Sequence, residues 1–254
     1  MNKKVQITIG DDGIATLKMN DIERKNIFSD EFIADLMEGI DEIYACKPKV
    51  MILQGLSEVF SCGADKKQLL GLAKGQMHVK DLLISEKLVN APFPIISAME
   101  GHAIGGGLML AACSDIVIAA RESWYGVTFM TLGFTPGMGA TTLLQDLFGS
   151  FLANEMMFTG KRYKGRHLNE MSTHINYILP KEEVVKKAYD IALQISQNNL
   201  ESIHLLKYTL SARKKKLLIE ARVQEDLMHR LSFSFPETKK RINDFYLGSS
   251  DDKN

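Results

Sequence analysis

Met99-Glu100-Gly101-His102-Ala103-Ile104-Gly105-Gly106-Gly107-Leu108-Met109-Leu110 is the stretch on which the reading of this chain turns. The apolar run at residues 94–98 before it reads as a buried strand, and residues 108–113 after it as the start of a helix. A strand, three consecutive glycines and a helix start leave backbone N–H groups pointing out of the turn. Glycine has no Cβ, so a ligand oxygen can come close to that backbone. Such a turn suits negative charge developing on an oxygen, as in a thioester enolate. Taken alone, the same glycines also serve as a tight turn packing a helix on a sheet.

Outward from this point the pattern is that of an α/β chain. Residues 5–9 and 14–19 flank Gly10-Asp11-Asp12-Gly13, a hairpin signal. Ser29 or Asp30 caps a helix with Phe32, Ile33, Leu36, Met37, Ile40, Ile43 and Tyr44 on one face. Residues 50–53 are a short buried strand, so strand, helix and strand open a parallel sheet. Residues 58–65 read as a loop beyond that strand's carboxyl end, where α/β sheets hold ligands. Residues 66–79, rich in Lys and Gly, read as a mobile covering segment, and residues 81–90 as a helix. Residues 115–119 and 124–127 are further strands. Gly133-Phe134-Thr135-Pro136-Gly137-Met138-Gly139 is a second glycine-rich loop, leading into a helix with Leu143, Leu144 and Leu147. Beyond residue 151 the pattern is helical, as segments 152–158, 165–171, 181–197, 201–210, 216–233 and 237–246, with 175–179 the one strand. The expected division is a core domain over residues 1–195 and a C-terminal helical region over 196–254.

The 254 residues are 45% hydrophobic and 24% charged, with 31 basic against 31 acidic side chains. This balance excludes a bulk nucleic-acid binder. Cys46, Cys62 and Cys113 are too scattered for a disulfide framework or zinc site, and no metal or other cofactor is expected. No apolar run approaches the ~20 residues that span a bilayer, and the first residues lack a signal-peptide core. A cytoplasmic protein without membrane contact is the expectation. No P-loop, dinucleotide fingerprint, Gly-x-Ser-x-Gly elbow or His-Glu-x-x-His motif is present.

Read together, the two loops say more than either alone. Phe60-Ser61-Cys62-Gly63-Ala64-Asp65 and, some way on, Gly101 to Gly107 resemble the paired signature of the crotonase (enoyl-CoA hydratase/isomerase) superfamily. Cys113 to Ala119 and Gly133 to Gly139 continue the match in order. The resemblance implies a crotonase-like α/β spiral of ββα units with a C-terminal helical trimerisation region. It also implies that a thioester oxygen is held by the backbone N–H groups of Ala64 and Gly106.

Hydratases of the superfamily carry two glutamates that handle water. Their positions fall here on Met109 and Phe129, and neither side chain can move a proton. The resemblance is therefore to an apparatus that keeps enolate stabilisation and lacks water activation. Decarboxylation fits that remainder, because loss of CO2 yields an enolate and needs no base. Cys62, Gly63, Gly105, Met109, Trp124, Phe129, Phe134 and Met138 are the expected substrate-binding residues, the apolar ones raising the energy of a bound carboxylate.

Within the superfamily, residues 98–107, Thr128-Phe129-Met130 and Gly133 to Thr141 look most like the decarboxylases of polyketide β-branching. Those enzymes convert 3-methylglutaconyl to 3-methylcrotonyl on an acyl carrier protein. The histidine implicated there matches His229, an expected proton donor. A loop lysine is implicated too, but the aligned position is Leu72, with Lys74 nearby. His102 is expected to hydrogen-bond within the turn, and Cys62 to be a small filler. The resemblance implies a substrate bound to acyl carrier protein or CoA, and a homotrimer or dimer of trimers. Lys66, Lys67, Lys74 and Arg213 to Lys216 are candidate contacts for an acidic carrier. A hydratase or isomerase, and a non-catalytic scaffold or RNA-associated protein, are the competing readings.

Overall fold

Strand β1 (Val5–Ile9) turns through Gly10–Gly13 into β2 (Ile14–Met19), with Ile9 opposite Ala15, as the alternation and the glycines demand. The computed structural model describes residues 3–74 and 80–251. A two-residue strand β3 (Ile27–Phe28) precedes helix α1 (Asp30–Cys46). Ser29 caps α1 by accepting from the Phe32 N–H at 3.2 Å, a bond worth about 1 kcal/mol. The helix buries Phe32, Ile33, Leu36, Ile40 and Ile43 and ends at Lys47, which is left-handed at φ +49°.

The chain continues through β4 (Val50–Gln54), β5 (Val59–Ser61) and β6 (Gly63–Ala64), so the segment expected as a loop contains two short strands. Helix α2 (Lys66–Leu72) follows, capped by Asp65. This corrects the expectation of a mobile segment for its first half, because the Asp65 carboxylate takes the Gln68 N–H at 2.7 Å and Leu69 packs into the core. The rest of that expectation, residues 75–79, lies outside the described residues. Next come α3 (Lys80–Asn90), β7 (Ile95–Met99), β8 (His102–Ile104), α4 (Gly106–Ala112), β9 (Ile116–Ala120) and β10 (Trp124–Gly126). Helices α5 (Ala140–Phe148) and α6 (Ser150–Thr159), strand β11 (Arg162–Lys164), α7 (Gly165–Glu170), β12 (Tyr177–Leu179) and α8 (Val184–Ser196) complete the mixed part. Strand β11 was not legible in the sequence. The two segments expected at 201–210 and 216–233 are one helix, α9 (Leu200–Ser234), followed by α10 (Pro236–Asp251).

The strands form a six-stranded sheet ordered β1-β2-β4-β7-β9-β12, a four-stranded sheet ordered β11-β10-β8-β5 and the pair β3-β6. Apart from the β1-β2 and β10-β11 pairs, the strands run parallel. Tyr125 locks the two larger sheets together. Its buried hydroxyl donates to the Met99 carbonyl at 2.9 Å and accepts the Ala120 N–H at 2.8 Å. Lys207 of α9 is buried against Asp115, with both carboxylate oxygens at 2.7 Å, and so ties the long helix to the start of β9. The expected boundary at residue 195 falls within the last turn of α8. Among the described residues no helix is long and apolar enough to cross a membrane.

Candidate active site

Two stretches of main chain meet at the carboxyl ends of β5 and β8. Gly63 and Gly105 have φ of +76° and +58°, in the region that favours glycine. A Cβ on Gly63 would stand 2.7 Å from the Gly106 nitrogen, and one on Gly107 would stand 2.2 Å from the Ser61 oxygen. The loops therefore touch backbone to backbone, with no room for a side chain between them. The β3-β6 pair sets Phe28 beside Ala64. A Cβ on Gly106 would lie 2.6 Å from the Phe28 ring and 3.1 Å from the Met138 sulfur. Gly106 is the first residue of α4, so its N–H has no partner within the helix.

Ala64 and Gly106 line one cavity of 260 Å³ with Cys62, Gly105, Phe129, Phe134, Met138 and His229. That is below the ~300–1,000 Å³ of drug-sized ligand sites and suits a short acyl group. None of its described lining residues is an aspartate or glutamate. Its other walls include Phe28, Leu69, Leu72, Leu132 and, from α10, Phe245. Arg162, at the start of β11, also lines it.

Three expected residues stand elsewhere. Gly63 lies behind the wall, its backbone against Gly106. Met109 is fully buried in α4, a helix whose residues are all buried, and is not among the described lining. It packs into the core instead, which corrects its assignment to the substrate. Trp124 is 38% exposed, with the Lys164 ammonium 5.3 Å from its ring, and is likewise absent from the described lining. The cause is strand alternation: Tyr125 takes the inward position and turns Trp124 out.

His229 reaches the cavity from α9. Its Nε2 lies 2.7 Å from the Thr135 carbonyl oxygen, so Nε2 carries the proton in that bond and Nδ1 keeps the other ring position. The ring occupies the space a side chain on Gly137 would need, 2.3 Å from that Cβ position. It packs edge-on against Phe134 and Phe233 at 6.1 and 5.4 Å. Burial holds its pKa below the ordinary imidazole value, against the pull of the Thr135 hydrogen bond and the Asp226 charge.

The same helix grips the glycine-rich loop twice more. Glu225, one turn before His229 and 1% exposed, accepts from the Gly139 N–H at 2.7 Å and from the Thr141 N–H and hydroxyl at 2.9 and 2.8 Å. Burial raises its pKa in spite of these bonds. Ser232 meets the Thr135 N–H at 3.2 Å. Cys62 has its thiol pushed up by burial, with Lys25 and Arg162 pulling it down, so it is a poor nucleophile. His102 accepts the Trp124 N–H on Nδ1 at 3.1 Å, and burial lowers its pKa. Lys74 ends the turn after α2 and is not among the described cavity lining. Among the described residues no group of three His, Cys, Asp or Glu side chains is placed to hold a metal ion.

In the basic cluster on α9, Lys214 is committed to its own chain and its neighbours make surface contacts. Arg213 pairs with Asp146 at 2.9 Å, and the Lys214 ammonium donates to the Ala112 and Ser114 carbonyls at 3.2 and 2.6 Å. Lys215 stands over Tyr208 at 5.5 Å and Lys216 is 4.0 Å from Glu220.

Glycine-sealed loops at the ends of parallel strands, with a long C-terminal helix closing the cavity, define the class. The chain belongs to the enoyl-CoA hydratase/isomerase family, whose model matches residues 10–246. Among its relatives is the bacillaene synthase decarboxylase PksI of Bacillus subtilis, 35% identical over 234 residues, which are 92% of this chain and 94% of that one. The ECH2 decarboxylase domain of CurF from Lyngbya majuscula superposes with a TM-score of 0.90 at 34% identity, over 96% of this chain and 99% of that domain. A structure from a dehydratase/decarboxylase enzyme couple of polyketide β-branching gives 0.91 at 33% identity, over 94% and 98%. The bovine mitochondrial enoyl-CoA hydratase domain-containing protein 2 is 29% identical over 220 residues, 85% of this chain and 72% of that one.

Proposed function

We propose that this chain decarboxylates a carboxylated acyl thioester, 3-methylglutaconyl on an acyl carrier protein going to 3-methylcrotonyl, in polyketide β-branching. The observation that carries this reading is a cavity in which Ala64, Gly106 and His229 meet and whose described lining holds no carboxylate. Hydration needs an acid or base on water, and Met109 and Phe129 supply none. Similarity to the decarboxylases PksI and CurF ECH2 supports the same reading.

The bond between the γ-carbon and the carboxylate breaks and CO2 leaves. Its electron pair moves through the double bond onto the thioester oxygen, giving a dienolate. The amides of Ala64 and Gly106 take that charge, which is larger in the transition state than in the ground state. The phenylalanine walls favour the dispersed charge over the compact carboxylate. A proton from the His229 imidazolium then goes to the γ-carbon, and the neutral ring is recharged from solvent. Burial makes the imidazolium the minor form near neutral pH and a stronger acid once it forms, with its Nδ1–H the proton not held by Thr135.

This reading takes the chain as a cytoplasmic homotrimer or dimer of trimers. Leu205, Leu206, Leu210, Ile219 and Val223 of α9 are 59–70% exposed, an apolar surface of the kind that association covers. Mass spectrometry of 3-methylglutaconyl carrier protein incubated with the enzyme tests the reaction. Loss of CO2 without uptake of water is expected, slowed about a hundredfold in His229→Gln. Water addition, or an unchanged acyl chain, overturns it.

A further inference from the structure

Each strand of the four-stranded sheet turns one face inward. Ala103, Tyr125 and Tyr163 are buried neighbours on that face. Register then sets Lys164 beside Trp124, and Arg162 and Ile104 on either side of Gly126, on the opposite, solvent-facing side. This outer face leads into the cavity, since Ile104 and Arg162 both line it. A Cβ on Gly126 would stand 3.0 Å from the Arg162 Cγ, so the glycine lets the arginine stem cross the sheet. Lys25, exposed and held in left-handed backbone at φ +54°, stands two residues before Ile27, which also lines the cavity. Cys62, in the same lining, lies within electrostatic reach of Lys25 and Arg162.

Among the described residues none forms an ion pair with Lys25, Arg162 or Lys164. Of the other cations near the site, Lys181 pairs with Glu58, Arg24 with Asp65 and Lys67 with Asp30, while Lys66 and Lys74 form no ion pair among the described residues. In a chain of zero net charge, Arg162 in the cavity lining, Lys164 on the same sheet face and Lys25 beside the lining residue Ile27 make a local excess of positive charge.

We propose that Lys25, Arg162 and Lys164 are the docking rim for an acidic carrier-protein domain, which enters its acyl arm past Cys62 and Ile104. Exposed Trp124, with Lys164 over its ring, supplies a flat apolar contact inside that rim. The inference rests on the reading above that the acyl chain arrives on a carrier, and it moves the contact away from Arg213–Lys216.

The test compares Lys25→Glu/Lys164→Glu with Lys215→Glu/Lys216→Glu on three thioesters of the same acyl group: carrier-bound, CoA-bound and N-acetylcysteamine-bound. The rim pair is expected to raise KM for the carrier-bound substrate about tenfold with kcat unchanged, and to leave the two small thioesters alone. The α9 pair is expected to change none of them. An unmoved carrier KM overturns the proposal, as does an equal loss on CoA, which would assign the rim to the arm's phosphate. Binding of the holo-carrier without an acyl group, followed by fluorescence anisotropy, reads the rim independently of turnover. If the wild type consumes no thioester yet binds the holo-carrier and the rim variant does not, the reaction fails and the docking rim stands.

Discussion

The cavity has two walls built on different principles. On one side, main chain seals against main chain: Gly63 on Gly106, Gly107 on Ser61. On the other, the loop from Gly133 to Gly139 is held by side chains of a helix some ninety residues later, through Glu225, His229 and Ser232. Thr238 of α10 adds a bond to the Gly133 carbonyl at 2.7 Å. The first wall offers amides whose spacing no rotamer can change. The second offers a titratable ring whose place depends on hydrogen bonds. Under the proposed reaction, charge stabilisation falls to the rigid wall and proton delivery to the adjustable one.

The largest expected effect breaks the rigid wall. Gly107→Ala sets a methyl 2.2 Å from the Ser61 oxygen, with backbone on both sides and no side chain able to yield. It is expected to destabilise the fold by about 3 kcal/mol or more, roughly 10 °C in melting temperature by calorimetry. A melting point near that of the wild type would show that the loops are not sealed by main chain.

Gly137→Ala is the matching change on the other wall. The clash at 2.3 Å is with the His229 ring, which can rotate away by giving up its Thr135 bond. Stability is expected to fall by about 1 kcal/mol, the size of one lost hydrogen bond. Turnover should drop about a hundredfold, because the proposed proton donor is displaced. Parallel losses of fold and activity in both glycine variants would erase the distinction between the walls.

How much of this could be read from residues alone follows the same division. The glycines at 63, 105, 106 and 107 announce close backbone contact, and the hairpin at 10–13 falls where the alternation breaks. The apolar positions of α4 could not be sorted by face, because all seven of its residues are buried and no periodicity survives. The resemblance alone sets Met109 at the cavity, in the place of a hydratase glutamate, and the structure packs it in the core. Strands β3 and β11, two and three residues long, leave no pattern, and with them Phe28 and Arg162 went unread. The expected helical segments 201–210 and 216–233 leave Arg213 to Lys215 between them. That stretch is helical, and Lys214 is spent on two carbonyls at the end of α4. Sequence periodicity reports which side of an element meets water, and it fails where both sides are buried or where a cation is turned inward.

The smallest expected effect concerns the state of the ring itself. His229 is held below the ordinary imidazole pKa by burial, so the unfolded chain binds a proton there more readily than the folded one. Stability from this site is complete above about pH 6.5 and drains away as pH falls from there through the folded-state value. His229→Gln can keep a donor toward Thr135 and has no proton to take up. Unfolding midpoints of the two proteins, compared from pH 7.5 down to 5.5, should therefore shift in favour of the variant on acidification. Glu225, with its pKa raised, works in the opposite direction: above about pH 4.5 the unfolded chain releases a proton that the folded one retains. That contribution is common to both proteins and cancels in the comparison. Parallel curves would mean that His229 titrates as it does in water, and a ring so exposed could not be the depressed-pKa acid that the dienolate requires.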